Sequence, residues 1–134
     1  MGHAAGSLDT NILLRLLLDD VPDQHQVALR LFNETVGQLA VADTAIIEMV
    51  FVLERAYELT RPQVREAING LLGSVKLNCN KGLFEDSLPL YVAHSALSFE
   101  DCCLATYAKL NNAEPLWTFD KKLAKQVAGT RLVS

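Results

Sequence analysis

Long hydrophobic runs are absent from this sequence of 134 residues. The longest apolar stretches, residues 12–18 and 45–53, are interrupted by Arg15 and Glu48 and fall well short of the roughly 20 apolar residues that span a bilayer. Residues 1–7 also lack the basic start and the apolar middle of a secretory signal. We therefore expect no membrane segment and no secretory signal.

Cysteine is scarce and forms no motif for metal or redox chemistry. Cys79, Cys102 and Cys103 are odd in number, two of them are adjacent and poorly placed to pair with each other, and no CxxC motif is present. This pattern favours a reducing compartment, so we expect a cytoplasmic protein.

Basic residues are outnumbered by acidic ones. The chain has 12 Lys and Arg against 16 Asp and Glu, a formal net charge of −4, and so lacks the basic footprint typical of nucleic-acid binders. Four acids are assigned below to one candidate site, which equals the excess of acids over bases. We therefore expect the negative charge to be concentrated at that site and masked when cations bind.

The composition, half apolar and 21% charged, predicts one globular domain over residues 1–134. Short apolar runs alternate with longer stretches of helical period, which is the pattern of an α/β fold with a mainly parallel sheet. The predicted strands are residues 4–9, 38–42, 75–79, 115–119 and 131–133. The predicted helices are residues 11–18, 23–36, 44–59, 60–72, 83–97, 100–110 and 120–127.

Three of these helices carry further expectations. In helix 23–36 the apolar period places Val27 and Leu31 inward. Leu29 and Phe32 are further candidates for the inward face. Helix 44–59 is apolar nearly all round and is therefore expected to be deeply buried or shared with a partner. Pro89 should kink or divide helix 83–97.

Four acids stand out because of where these elements place them. Asp9 ends the first strand, Glu48 lies just inside the helix after the second, Asp101 opens a helix and Asp120 closes the fourth strand. The carboxyl ends of parallel strands share one edge of a sheet, where ligands bind. We therefore expect the four carboxylates to converge.

Each acid also has a purely structural interpretation. Asp9 and Asp120 could be helix N-caps, worth roughly 1 kcal/mol apiece, and Asp101 could complete a capping box with Ser98. Glu48 could lie on an exposed stripe of its helix. If Glu48 is instead buried among its apolar neighbours, its charge costs several kcal/mol unless a partner offsets it.

Converging carboxylates must either take up protons or bind cations. Two of them about 4 Å apart repel by roughly 4 kcal/mol at an effective dielectric near 20. Oxygen ligands without Cys or His select Mg²⁺ or Mn²⁺. The three histidines are scattered and are expected to be ordinary surface or core residues: His3, His25 and His94.

Four segments together resemble the PIN-domain family and, within it, the VapC toxins. They are Leu8-Asp9-Thr10-Asn11-Ile12-Leu13-Leu14, Glu48 in its apolar helix, Phe99-Glu100-Asp101-Cys102-Cys103-Leu104-Ala105 and Thr118-Phe119-Asp120-Lys121-Lys122-Leu123. The resemblance covers almost the whole chain, and its first and last segments are the most specific.

The resemblance implies an α/β/α sandwich around a central, mainly parallel sheet. It further implies a Mg²⁺-dependent endoribonuclease that forms homodimers and is inhibited by a co-expressed antitoxin. By position, the family's acidic cluster falls on Asp9, Glu48, Asp101 and Asp120, and its polar supporting residues fall on Asn11 and Thr118. Glu100 precedes Asp101, which leaves open which of the two faces the metal.

The expected chemistry is metal-assisted phosphodiester hydrolysis. Asp9 and Asp101 are the expected metal ligands, while Glu48 and Asp120 ligate directly, act through water or orient the nucleophile. Thr10 and Asn11 are expected to hold these carboxylates in place. Four cations either steer RNA phosphates or belong to a solvated helix face: Arg15, Lys121, Lys122 and Lys125.

Two other functions fit the same residues. The chain could be a non-catalytic module of this fold that serves as a scaffold or binds an antitoxin, or a Mg²⁺ phosphohydrolase acting on DNA or small phosphoesters. Segments 12–18 and 44–59 hold more apolar residues than one small core needs. They therefore predict a homodimer or a groove covered by an antitoxin.

Overall fold

A computed structural model describes residues 4–133 of the chain. The chain divides into two compact units, of which the first ends at Asn80 and the second begins at Lys81. We call them the N-terminal unit and the C-terminal unit and describe each by itself. The assignment of residues 1–134 to a single domain stays a prediction.

The N-terminal unit joins short parallel strands to four helices. Its elements in chain order are α1 (Thr10–Leu17), α2 (Pro22–Glu34), β1 (Leu39–Ala40), α3 (Asp43–Arg55), α4 (Arg61–Leu72) and β2 (Leu77–Asn78). Strands β1 and β2 pair in parallel, with Leu39 opposite Leu77. On its other side β1 meets Ser7 in a single parallel bridge.

That bridge is what remains of the first predicted strand, residues 4–9. The Leu8 amide donates to the carbonyl of Ala40 at 2.9 Å, and the Ala40 amide donates to the carbonyl of Gly6 at 2.8 Å. Residues 4–7 have small side chains that are all exposed, so they contribute almost no packing to hold a longer strand in place. The segment still runs alongside β1 and leads directly into α1.

Helix α4 shows how local sequence sets helix boundaries. The Thr60 hydroxyl accepts the Gln63 amide at 3.3 Å, and the Gln63 side chain accepts the Thr60 amide at 2.9 Å, which completes a capping box. Pro62 occupies the first turn, where its missing amide proton costs nothing. The helix then buries Val64, Ile68 and Leu72, one residue in four along the same face.

Helix α3 is amphipathic, so of the two alternatives for this helix deep burial is wrong, and sharing with a partner stays a prediction. It buries residues at the spacing of a single helical stripe: Ile46, Met49, Val50 and Leu53. The opposite side is open, since Phe51 is 47% exposed and Glu48 is exposed as well. The apolar residues around Glu48 therefore do not enclose it.

Helix α2 corrects the prediction about its inward face. Val27 is 59% exposed and Leu31 is 45% exposed, while the buried residue of this helix is Ala28. Leu29 and Phe32 are half-buried. The helical period identified an apolar face correctly, but a period carries no information about whether the rest of the chain covers that face.

The C-terminal unit contains a helix pair and a second parallel strand pair. Its elements are α5 (Lys81–Ala93), α6 (Phe99–Leu110), β3 (Leu116–Thr118), α7 (Lys121–Gln126) and β4 (Thr130–Leu132). Helices α5 and α6 pack through aromatic contacts, with the Phe99 ring stacked on Phe84 and edge-on to Tyr91. Pro89 lies inside α5 without dividing it, and the helix ends at Ala93 rather than at residue 97.

Strands β3 and β4 are parallel, with Leu116 opposite Thr130 and Trp117 opposite Arg131. Parallel strand pairs flanked by helices confirm the predicted α/β class. Within residues 4–133, no helix has the length and hydrophobicity needed to cross a membrane. No disulfide forms in this part of the chain.

Candidate active-site acids

Asp9 begins helix α1 as its N-cap. Its Oδ1 atom accepts a hydrogen bond from the Ile12 amide at 3.0 Å. The structural interpretation of Asp9 as a cap is therefore correct. The cap uses only Oδ1, however, so the second carboxylate oxygen of this exposed residue remains available for a cation.

Thr10 and Asn11 follow Asp9 in the first turn of α1. The Thr10 hydroxyl donates to the carbonyl of Ala45 at 3.2 Å and thereby fastens the start of α1 to the start of α3. Thr10 thus positions the backbone next to Asp9 rather than the carboxylate itself. Asn11 is exposed and lines a groove together with Asp9.

This groove runs between α1 and α2 and has a volume of about 550 Å³. Its apolar lining comes from Ile12, Val27 and Ala28, and two carboxylates, those of Asp9 and Asp23, also line it. The remaining lining residues are Asn11, Arg15 and Gln24. The groove therefore combines apolar side chains with two carboxylates and one guanidinium.

Arg15 is committed to partners within the N-terminal unit. Its guanidinium forms a salt bridge with Asp20 at 2.9 Å and donates to the Tyr57 hydroxyl at 2.9 Å, and its side chain is only 11% exposed. The Tyr57 hydroxyl in turn donates to Asp20 at 2.5 Å. The Tyr57 hydrogen bond, with a smaller contribution from Arg15, lowers the pKa of Asp20. This geometry gives Arg15 a structural role and no support for steering RNA.

Glu48 is exposed on α3, beside the buried residues Met49 and Val50. Glu48 therefore needs no buried partner to offset its charge, because the side chain keeps its contact with water. The alternative that Glu48 lies on an exposed stripe is what the structure contains. Among the described residues, no hydrogen bond from a helix cap or a strand holds this carboxylate, so it is open to ligands.

Asp101 lies in the first turn of α6, where Ser98 is the N-cap. The Ser98 hydroxyl accepts the Asp101 amide at 3.0 Å. The reciprocal bond from the Ser98 amide to the Asp101 carboxylate is not formed in the part of the chain that is described. Only one of the two hydrogen bonds of a capping box is therefore present. The Asp101 carboxylate is half-exposed, and the neighbouring Glu100 is exposed.

Asp120 caps α7 in the way that Asp9 caps α1. Its Oδ1 atom accepts the amides of Lys122 at 2.9 Å and Leu123 at 3.1 Å. The Thr118 hydroxyl accepts the Asp120 amide at 3.0 Å and so fixes the backbone just ahead of the cap. Lys121, Lys122 and Lys125 are all exposed.

Two exposed aromatic residues next to Asp120 were not singled out from the sequence. Trp117 is 58% exposed and Phe119 is 79% exposed, and the Arg131 guanidinium lies 5.6 Å from the centre of the Trp117 ring. The sequence Trp117-Thr118-Phe119 could have indicated this surface, because it places two large apolar side chains two residues apart in an extended segment.

The candidate acids are divided equally between the units, with Asp9 and Glu48 in the first and Asp101 and Asp120 in the second. Over residues 4–133, neither unit gathers three or more His, Cys, Asp or Glu side chains that could hold a metal ion. The convergence of all four carboxylates therefore stays a prediction.

Known proteins resemble this chain over most of its length. A model of the PIN-domain family matches residues 7–129. A VapC ribonuclease from Aquifex aeolicus (strain VF5) is 26% identical over 123 residues, which cover 88% of this chain and 89% of that protein. A solved toxin–antitoxin complex from Klebsiella pneumoniae aligns over 96% of each chain at 20% identity and a TM-score of 0.37. Because the family model spans both units, this chain belongs to the PIN-domain family, as its four motifs predicted.

Proposed function

We propose that this protein is a metal-dependent endoribonuclease of the VapC type, the toxin of a toxin–antitoxin pair. One observation carries the proposal. In a PIN-domain chain similar to a VapC ribonuclease, Asp9 opens α1 directly after a strand-like segment, and its cap leaves one carboxylate oxygen unused beside an open groove. Asp120 also caps a helix, α7, through Oδ1 alone.

The four motif acids offer a donor set suited to Mg²⁺ or Mn²⁺. Asp9, Glu48 and Asp120 are exposed carboxylates and Asp101 is half-buried, and hard oxygen ligands select these ions over softer metals. Asp9 and Asp101 would hold the ion, and Glu48 and Asp120 would ligate it or orient the attacking water. When bound, such an ion lowers the pKa of its water and offsets the charge that builds on the phosphate.

The surrounding residues hold these carboxylates in position. Thr10 ties the start of α1 to Ala45, and Thr118 fixes the backbone amide of Asp120. Because both acids sit on backbone that is fixed before a substrate binds, little reorganisation is needed during the reaction. Asn11, which lines the same groove as Asp9, would help to hold that carboxylate in place.

An antitoxin is the partner that this function requires, and α2 offers a surface for it. Val27 and Leu31 leave an apolar stripe uncovered, and the adjoining groove presents the carboxylates of Asp9 and Asp23. A peptide with alternating apolar and basic residues is complementary to this surface. Replacing Leu31 with Asp should abolish inhibition by the antitoxin while cleavage persists.

Homodimer formation, also implied by the family, is tested by light scattering across a range of concentrations.

The decisive experiment is cleavage of RNA by the purified protein. We expect cleavage in Mg²⁺, none in EDTA and none with an Asp9→Asn variant purified in the same way, which also controls for contaminating ribonuclease. If no RNA in a broad panel is cleaved, the chain is a non-catalytic binding module. If DNA or small phosphoesters are hydrolysed and RNA is not, it is a different phosphohydrolase.

A further inference from the structure

The C-terminal unit exposes two large aromatic side chains within three residues. Trp117 lies on β3, and Phe119 immediately precedes Asp120, the cap of α7. Both remain mostly in water, at 58% and 79% exposure. Aromatic residues gain much free energy from burial, so a pair left open beside a candidate catalytic acid indicates a surface that a ligand covers.

Arg131 adds a planar cation to this surface. It is the register partner of Trp117 on the neighbouring strand, and side chains of such partners stand on the same face of a sheet. Its guanidinium is within cation–π distance of the indole, at 5.6 Å from the ring centre. The indole is nevertheless more than half exposed, so Arg131 orients the ring without closing it off.

The charge around these rings is opposite in sign to that of the whole chain. Residues 117–131 contain four cations and one acid, Asp120, although the protein carries a formal charge of −4. The cations are Lys121, Lys122, Lys125 and Arg131, and all four are exposed. The basic footprint that the overall composition lacks is therefore present locally, in the segment that holds the aromatic pair.

We propose that Trp117 and Phe119 stack against unpaired nucleobases of the substrate, while Arg131 and the α7 lysines contact the adjoining phosphates. Stacking on aromatic rings combined with cations along the backbone is how proteins hold single strands, and the bases of a duplex cannot reach such rings. The inference rests on the proposed ribonuclease function and adds to it the residues that contact the bases and phosphates of the substrate.

A protein partner is the competing occupant, because exposed aromatic residues and arginine are common at protein interfaces. Lysine, however, is depleted in such interfaces, and three lysines follow these rings within six residues. The local charge therefore favours a polyanion over a protein.

The N-terminal unit provides a matched control. Phe51 is 47% exposed and lies under the Arg55 guanidinium at 4.4 Å, so it makes the same kind of aromatic–arginine contact. Its helix, α3, carries three acids and one cation, which would repel phosphate. The two pairs thus differ mainly in the charge that surrounds them.

Trp117 is the chain's one tryptophan, so intrinsic fluorescence reports directly on this surface. We would titrate wild-type protein in EDTA with a single-stranded oligoadenylate, and separately with the same strand annealed to its complement. Stacking of adenine on Trp117 should quench the fluorescence with the single strand and leave it nearly unchanged with the duplex.

Binding by variants completes the test. Trp117→Ala and Phe119→Ala should each weaken binding of the oligoadenylate by about 10-fold, as expected for the loss of one stacked base, and Trp117→Phe should retain most of the affinity. Phe51→Ala should bind like the wild type. Circular dichroism verifies that every variant is folded, and the positions are exposed enough to tolerate the changes.

Two outcomes would overturn the inference. In one, Trp117→Ala and Phe119→Ala bind RNA as the wild type does. In the other, the fluorescence changes with protein concentration in the absence of RNA, which would assign the surface to a second copy of the chain. If either occurs while the wild type still cleaves RNA, the proposed function stands. If the single strand binds through Trp117 but no RNA is cleaved in Mg²⁺, only the ribonuclease proposal fails.

Discussion

Each unit of this protein contributes one candidate acid that caps a helix and one that does not. In the N-terminal unit Asp9 caps α1, whereas Glu48 is exposed in the middle of α3. In the C-terminal unit Asp120 caps α7, whereas Asp101 donates its backbone amide to Ser98 and leaves its own carboxylate outside the cap.

Capping therefore gives two of these acids a structural role that the other two lack. A capping carboxylate has a local role, so its presence alone says little about catalysis. It can also bind a cation, because the cap occupies one of its two oxygens. Glu48 and Asp101 make no comparable bond within the described residues, so replacing either side chain should leave the helix caps intact.

The largest expected effect is on catalysis at a capping acid. Asp9→Asn should lower RNA cleavage by more than about 100-fold, since it removes a metal ligand, and even residues that only support such ligands cost roughly 10- to 100-fold. Asparagine caps helices as well as aspartate does, so the melting temperature should stay near that of the wild type. Loss of folding instead would mean that Asp9 is structural.

The acids that do not cap helices sharpen the comparison. Glu48→Gln and Asp101→Asn should each reduce cleavage by at least about 10-fold, with a change in the free energy of unfolding within about 0.5 kcal/mol. Glu100→Gln is the matched control for Asp101 and should cleave normally. If Glu100→Gln is inactive and Asp101→Asn is active, the two neighbouring acids exchange roles.

A smaller effect separates the two functions of Asp120. Asp120→Ala removes the side chain that accepts the amides of Lys122 and Leu123 and should destabilise the protein by about 1 kcal/mol, whereas Asp120→Asn should cost only a few tenths. Chemical denaturation measures both changes. Equal stability of the two variants would show that the cap contributes nothing.

The smallest effect concerns an acid whose role is structural. Hydrogen bonding from Tyr57, reinforced by Arg15, lowers the pKa of Asp20 from its ordinary value of 3.8. Because the pKa is lower in the folded state, the stability that this provides is present above about pH 3.8 and is lost as the pH falls through the folded value.

Tyr57→Phe removes the main cause of that shift. The variant should be less stable than the wild type at neutral pH. This gap, the difference between their free energies of unfolding, should narrow as the pH falls below 3.8. Acid denaturation followed by circular dichroism measures the gap. A gap that does not vary with pH would assign the role of Tyr57 to its contact with Arg15 alone.

Helices were the elements that the sequence predicted best. Helix α4 was expected at 60–72 and is found at Arg61–Leu72, because its cap, its first-turn proline and its buried stripe are all local features. Strands were shorter than predicted. The clearest case is residues 4–9, where exposed small side chains leave a single bridge at Ser7.

What the sequence could not provide was the environment of individual side chains. Val27 and Leu31 were expected inside and are exposed, and the sequence left open whether Glu48, which is exposed, is buried or lies on an exposed stripe. Arg15 looked available to RNA because it follows Asp9 closely in sequence. Its side chain is instead enclosed by Asp20 and Tyr57, which lie up to 42 residues away. Such contacts depend on packing between elements, which no local pattern encodes.

The central claim is that the carboxylates of Asp9, Glu48, Asp101 and Asp120 bind divalent cations. Crystals soaked in Mn²⁺ test it most directly, because anomalous scattering locates each ion and counts it. If the claim holds, Mn²⁺ will lie about 2 Å from carboxylate oxygens of Asp9 and Asp101, with Glu48 and Asp120 bound directly or through water. Well-ordered crystals in which Mn²⁺ binds only to other acids, or to none, would contradict it.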